Sequence, residues 1–193
     1  MNVFGLIAIV LAIAFVIYII RYYIGDMFIK LFSTTLFSSN NIKVQNEQPH
    51  QAKTLVLSCM DYRFINDTIK YLNIHREGDF DYFVLAGSSL GYNESREGSD
   101  PSWFKTFEEH VDLAIKLHGI TEIIVVDHMD CGYYKAVYGD QVDTPDKEER
   151  KHNFNLHKFV RLMKPKYDKL SYKLLLAYFD DNGVIKYKDM NDG

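Results

Sequence analysis

The sequence predicts an α/β domain, a mostly parallel β-sheet flanked by helices and closed by an antiparallel C-terminal hairpin, preceded by one N-terminal transmembrane helix. Three observations predict it. Short apolar runs (TLVLS, DYFVLA, EIIVVD) alternate with stretches whose apolar residues recur at helical spacing. Near the C-terminus YKLLLAYF and VIKYK flank DDNG, a hairpin signal. Val3 to Ile20 carries no charge.

Taken in order, the first element is that uncharged run. At about 1.5 Å per residue it nearly crosses a bilayer core of about 30 Å, with Tyr18, Tyr22 and Tyr23 where an interfacial aromatic belt lies. No Lys or Arg precedes it, unlike the basic start of a signal peptide. Arg21, Lys30 and Lys43 follow it, which predicts a single-pass protein with its C-terminal domain on the cytoplasmic side. Residues 1–32 are therefore expected to anchor the chain in a membrane. Residues 33–53, rich in Ser, Asn, Gln and Thr, read as a polar tether, and 54–193 as the folded domain.

Within the domain, Thr54 to Ser58 reads as a strand buried on both faces, followed by a helix spaced by Ile65, Ile69, Leu72 and Ile74. Asp81 to Ala86 is the second strand, and the polar, glycine-bearing Gly87 to Ser99 a loop. Asp100 then caps a helix that opens on Pro101, carries a stripe of Phe104, Phe107, Val111, Ala114, Ile115 and Leu117, and stops at Gly119. Glu122 to Asp127 is the third strand. A short helix over Tyr133 to Val137, a charged loop over Gln141 to Arg150 and a helix from about Lys147 to Met163 lead into the hairpin.

The totals narrow the function. With 193 residues, 47% hydrophobic, 25% charged and a net charge of −4, the chain suits one globular domain and offers no basic patch to a nucleic acid. Its two cysteines, Cys59 and Cys131, exclude a disulfide framework and leave one bridge, two free thiols or two metal ligands.

LSCMDYRF, residues 57–64, sets a thiol, a carboxylate and a guanidinium at i, i+2 and i+4. On extended backbone Cys59, Asp61 and Arg63 would share one side, which makes either a site or a salt bridge beside a buried thiol. DHMDCG ends the third strand at His128 and adds Cys131 at i+3, one helical turn on. Ligands collect at the carboxyl ends of the strands in such sheets, and both cysteines fall there. Two sulfurs and one nitrogen are the ligand count of a catalytic zinc centre with its fourth position open. A core histidine with satisfied hydrogen bonds is the alternative for His128. His75, His110, His118, His152 and His157 have no second ligand type at suitable spacing and read as surface or packed residues.

CMDYR and HMDCG together resemble the C-x-D-x-R and H-x-x-C-G motifs of the beta-class carbonic anhydrases. The similarity runs from about Thr54 to Lys188 and takes in LAGSSL, the long helix before His128 and the closing LLAYFDDNGVIKY. The resemblance implies zinc (Zn2+) held by Cys59, His128 and Cys131, a catalytic dyad of Asp61 and Arg63 beside it, and Gly87 against the substrate. It also implies interconversion of CO2 and bicarbonate by a zinc-activated water, and a homodimer or higher homo-oligomer. In this family the aspartate can instead swing onto the metal, so two arrangements of Asp61 are expected.

The chain departs from the family pattern at Tyr62 (usually Ser), Val84 and Leu85 (usually Arg-Asn) and Asp127 (usually Gly), and the usual N-terminal glutamine segment is not recognisable. These changes leave the ligands intact and bear on the substrate. Hydrolysis of CS2 or COS on the same fold, or a weakly catalytic, zinc-stabilised binding module at a membrane, are the alternatives.

Overall fold

The computed structural model describes Phe15, Tyr18 and residues 50–191, except 76–78 and 99. The expected anchor and most of the tether lie outside the described residues, and among the described residues no helix is long and apolar enough to cross a membrane. Apart from Phe15 and Tyr18, the described residues belong to the unit Gln48–Gly193. This unit takes in the end of the polar segment: Ala52 is buried and its N–H donates to the His118 carbonyl, while the Lys53 carbonyl accepts from Thr121 and Glu122.

Five strands form one sheet in the order β2-β1-β3-β4-β5. They are β1 (Thr54–Ser58), β2 (Phe80–Val84), β3 (Glu122–His128), β4 (Ser171–Phe179) and β5 (Ile185–Asp189). The first four are mutually parallel, and β5 returns antiparallel to β4 across a turn with Gly183 at φ 73°. The helices are α1 (Tyr62–His75), α2 (Ser89–Glu97), α3 (Ser102–His118), α4 (Gly132–Tyr138) and α5 (Pro145–Met163).

The continuous apolar runs arise because both faces of the sheet are covered. Leu55, Leu57, Ile123, Val125, Leu174 and Leu176 point to one face, against Tyr92 of α2, Phe107 and Val111 of α3, and Leu156, Phe159 and Met163 of α5. Val56, Ile124, Val126, Leu175 and Ala177 point to the other, against Phe64 and Leu72 of α1. Each fully buried large side chain contributes about 1.5–3 kcal/mol of transfer free energy, so these two layers dominate the stability.

The path of the chain also positions the site. From β1 it crosses through α1 to β2 on one side, whereas from β3 it crosses through α5 to β4 on the other. The connections leave in opposite directions between neighbouring strands β1 and β3, which makes their carboxyl ends the switch point where open α/β sheets bind ligands. Ser58 lies opposite Val126, so Cys59 emerges beside Asp127 and His128.

Three local expectations are corrected. Gly87 to Ser99 is not a loop, since α2 occupies Ser89–Glu97 with Ser89, Leu90, Gly91, Tyr92, Asn93 and Ser95 buried. Its polar side chains bond to protein partners instead of water: Asn93 Nδ2 donates to the Asn155 carbonyl and Oδ1, and Ser95 Oγ to the Asp100 carbonyl, while Asn93 Oδ1 has no partner among the described residues. α5 starts at Pro145, because Thr144 in extended conformation caps it and the proline needs no N–H there. The strand alternation read for Cys59, Asp61 and Arg63 also fails, because β1 stops at Ser58.

Candidate metal centre

Asp61 is the residue before α1 and caps it. Its Oδ1 accepts the Arg63 N–H at 3.0 Å, and its carbonyl accepts from Phe64. Helix geometry, not strand alternation, thus brings Arg63 back over Asp61. The guanidinium grips both carboxylate oxygens, with Nε 3.0 Å from Oδ1 and Nη2 2.7 Å from Oδ2. Its Nη1 also donates to Asp130 Oδ2 at 2.7 Å, and Nη2 to the Asp130 carbonyl at 3.0 Å. Lys135 Nζ donates to Asp130 Oδ1. These bonds from Arg63 hold the Asp61 carboxyl below the usual carboxylate range.

Beside this pair, Cys59, His128 and Cys131 converge, their ligand atoms all within 4.8 Å of one another. Both cysteines are free thiols and buried. His128 and Cys131 do not meet through a helical turn, as their spacing suggested. His128 is the last residue of β3 and Cys131 is an extended cap of α4, joined through Asp130 at φ 60°.

The donor set fits a metal ion. His128 Nδ1 lies 2.9 Å from the Met129 carbonyl, which can only accept, so Nδ1 carries the proton and Nε2 keeps its lone pair. That Nε2 is buried and has no hydrogen-bond partner among the described residues. The Phe64 ring stacks on the imidazole at 4.5 Å and fixes its plane. The Gly87 N–H points at Cys59 Sγ from 3.4 Å, and the N–H groups of Tyr133 and Tyr134 face the Cys131 sulfur. A hydrogen bond from Cys131 pulls the Cys59 thiol well down, while Cys131 is pushed up because it keeps the shared proton. Removing that last proton would set two thiolates side by side, which needs a cation between them. Burial lowers the His128 pKa, yet the neighbouring Cys59 thiolate leaves it raised.

All six residues singled out in the sequence therefore meet at one end of the sheet. Gly87, at φ 70°, turns its N–H to Cys59, and a Cβ there would lie 2.5 Å from the Tyr133 ring. Asp61 Oδ2 stands 3.9 Å from His128 Nε2 and is held by Arg63. Met60 and Tyr62 flank it, both exposed. A cleft of about 660 Å³ lined in part by Met129, Asp130, Glu148 and Phe179 opens against the turn between the two ligands of β3 and α4.

Sequence reasoning missed Asp130, Glu148 and His152. Asp130 was visible as an aspartate beside a ligand, a residue type that tolerates positive φ. Glu148 and His152 were visible only as two polar positions at i and i+4 on the inward face of α5, in register with Asn155, Leu156 and Phe159.

A parallel sheet with a Cys-His-Cys donor set at its switch point and an Asp-Arg pair beside it defines an α/β protein of the beta-carbonic-anhydrase fold. Solved structures agree on that fold. The beta-carbonic anhydrase CcaA matches with a TM-score of 0.51 at 14% identity over 86% of this chain and 87% of that one. Beta-carbonic anhydrase isoform I of Trichomonas vaginalis matches with 0.50 at 16% identity over 84% and 95%. An uncharacterized protein of Rickettsia conorii is 32% identical, covering 82% of this chain and 91% of that protein. A family model described as "Putative carbonic anhydrase" matches residues 49–172. The chain belongs to the beta-class carbonic anhydrase family.

Proposed function

We propose that the chain is a zinc-dependent carbonic anhydrase, interconverting CO2 and bicarbonate, with Cys59, His128 and Cys131 as ligands and Asp61 and Arg63 as the catalytic pair. One observation carries this reading: a carboxylate gripped at both oxygens by Arg63 stands beside, and apart from, a three-donor set of two sulfurs and one imidazole nitrogen. A metal held only for structure needs no such pair. Zinc bound there supplies a Lewis acid that acidifies a water and so makes a nucleophile available.

The chain's own residues do the positioning. Asp61 Oδ2, ionised because Arg63 donates to it, accepts the O–H of the reacting water and turns an oxygen lone pair toward the carbon of CO2. A C–O bond forms, one C=O π pair moves to oxygen, and a proton leaves to solvent, giving bicarbonate. Arg63, anchored on its other side by Asp130, keeps the Asp61 carboxylate from rotating toward the ligands. Gly87 serves Cys59 through its N–H, and its missing side chain leaves room for the Tyr133 ring.

Two further parts of this reading concern the setting. Residues 3–20 anchor the chain as a single span with the domain on the cytoplasmic side, supported by the uncharged run and the basic residues after it. The chain works as a homodimer or larger homo-oligomer, supported by the outer edge of β2, which pairs with no other strand among the described residues, beside exposed Leu113 and Leu117.

Stopped-flow CO2 hydration with a pH indicator tests the function, comparing zinc-loaded and chelator-stripped full chain, with COS and CS2 assayed alongside. Zinc-dependent CO2 hydration is expected. Turnover of COS or CS2 without CO2 hydration would replace the substrate, and no turnover of any would leave a binding module.

A further inference from the structure

Behind the ligands lies a buried charged chain that the proposed reaction does not use. Asp127, the residue before His128, receives four hydrogen bonds: the Ser89 N–H at 3.1 Å and Oγ at 2.7 Å, the Tyr134 hydroxyl at 2.6 Å and His152 Nδ1 at 3.0 Å. His152 is fully buried under the Tyr134 ring, with Nε2 3.6 Å from Glu148 Oε1 on the same helix. Glu148 Oε1 in turn accepts the Cys131 N–H at 3.0 Å. Burial opposes the charge on Asp127, but its donors still hold the carboxyl below the ordinary range. The chain starts next to one metal ligand and ends on the backbone of another, bracing both against the rigid helix α5.

We propose that Glu148 and His152 are positioning residues of the metal centre. Glu148 fixes the Cys131 backbone, and His152, hydrogen-bonded to Asp127 and within ion-pair distance of Glu148 but not hydrogen-bonded to it, places its charge between the two carboxylates, so that His128 and Cys131 keep their spacing before a metal arrives. A turn with a residue at positive φ, Asp130, joins the two ligands. Without an external brace such a turn has other conformations, and ordering it would be charged against metal affinity. The inference rests on Cys59, His128 and Cys131 being the ligands.

The test is competitive titration of the full chain with Co(II) and zinc against a chromophoric chelator, with the Co(II)-thiolate absorption bands recorded. Wild type, Glu148→Ala, Glu148→Gln and Glu148→Asp are compared. Removing an outer partner of a ligand typically weakens binding roughly 10- to 100-fold, and a loss in that range is expected for Glu148→Ala, with shifted Co(II) bands. Glu148→Gln keeps an acceptor for the Cys131 N–H and should restore most of the affinity. Should Glu148→Ala not fold, Glu148→Asp carries the same test, since its carboxylate falls one methylene short of Cys131. Wild-type affinity and unshifted bands in a folded Ala or Asp variant overturn the proposal. Failure of the wild-type chain itself to bind either metal overturns the ligand assignment instead.

Discussion

Arg63 Nη2 lies 2.7 Å from Asp61 Oδ2 while Nε lies 3.0 Å from Oδ1, so one guanidinium occupies both oxygens of the carboxylate that stands 3.9 Å from His128 Nε2. The pair is built at a helix start. Asp61 caps α1 and Arg63 sits in its first turn, which makes the fork a by-product of the cap geometry. Because the fork positions Asp61 and ligates nothing, metal retention and activity should separate on mutation. Arg63→Ala and Asp61→Asn should keep their zinc yet lose about 100-fold or more in CO2 hydration, the cost of a catalytic group displaced by about 1 Å. Elemental analysis and initial rates on the same preparations check it; equal loss of zinc and rate would make the pair structural.

The metal stoichiometry follows from the donor set. About one zinc per chain is expected, and Cys59→Ser, His128→Ala and Cys131→Ser should each lower it. Binding must also release the proton that Cys131 retains, so loading should rise with pH. Inductively coupled plasma analysis after dialysis at several pH values measures both. A native Cys59 to Cys131 disulfide would contradict the ligand role.

Gly87→Ala should destabilise the domain. The residue sits at φ 70°, where an L side chain costs about 1–2 kcal/mol, and the new Cβ would press on the Tyr133 ring. Thermal unfolding followed by circular dichroism should show a lower midpoint; an unchanged midpoint would mean that Tyr133 moves freely.

The buried Asp127–His152 pair has a pH signature. Burial works against both charges, but the pair's mutual attraction wins, leaving Asp127 lowered and His152 raised by Asp127 and Glu148. The Asp127 contribution is present above its unfolded pKa of about 3.9 and lost as pH falls through the folded value. That of His152 is full below about 6.5 and lost as pH rises through its folded value. The pair therefore stabilises most between about pH 4 and 6.5. The difference in unfolding midpoint between the metal-free chain and His152→Ala should peak there, and a difference that does not change with pH would contradict a charged pair.

Much of the fold was legible because both sheet faces are apolar. TLVLS and EIIVVD read as strands for the physical reason that they are, and Gly119 at φ 73° ended α3 as expected. The ligands were legible because Cys59 and His128 end or follow neighbouring strands. What failed had two causes, partners distant in sequence and a period carried past the end of a strand. α2 was hidden because Ser89 and Asn93 are polar residues buried by partners distant in sequence, Asp127 and Asn155. The Asp61–Arg63 fork was found as a pair but with the wrong geometry, since a strand period was carried past the end of β1. His152 was read as surface or packed, and it is packed, but nothing local in KHNFNLHKF shows that Asp127 lies above it.

The most direct test of the central claim is 18O exchange between labelled bicarbonate and water, followed by mass spectrometry of the dissolved CO2, on zinc-loaded full chain at mildly alkaline pH. It reads the interconversion itself, at equilibrium and without an indicator. Exchange well above background, abolished by chelation and strongly reduced in a metallated Asp61→Asn chain, is the predicted result. A folded chain holding one zinc that leaves the label at the uncatalysed rate would contradict the carbonic anhydrase reading.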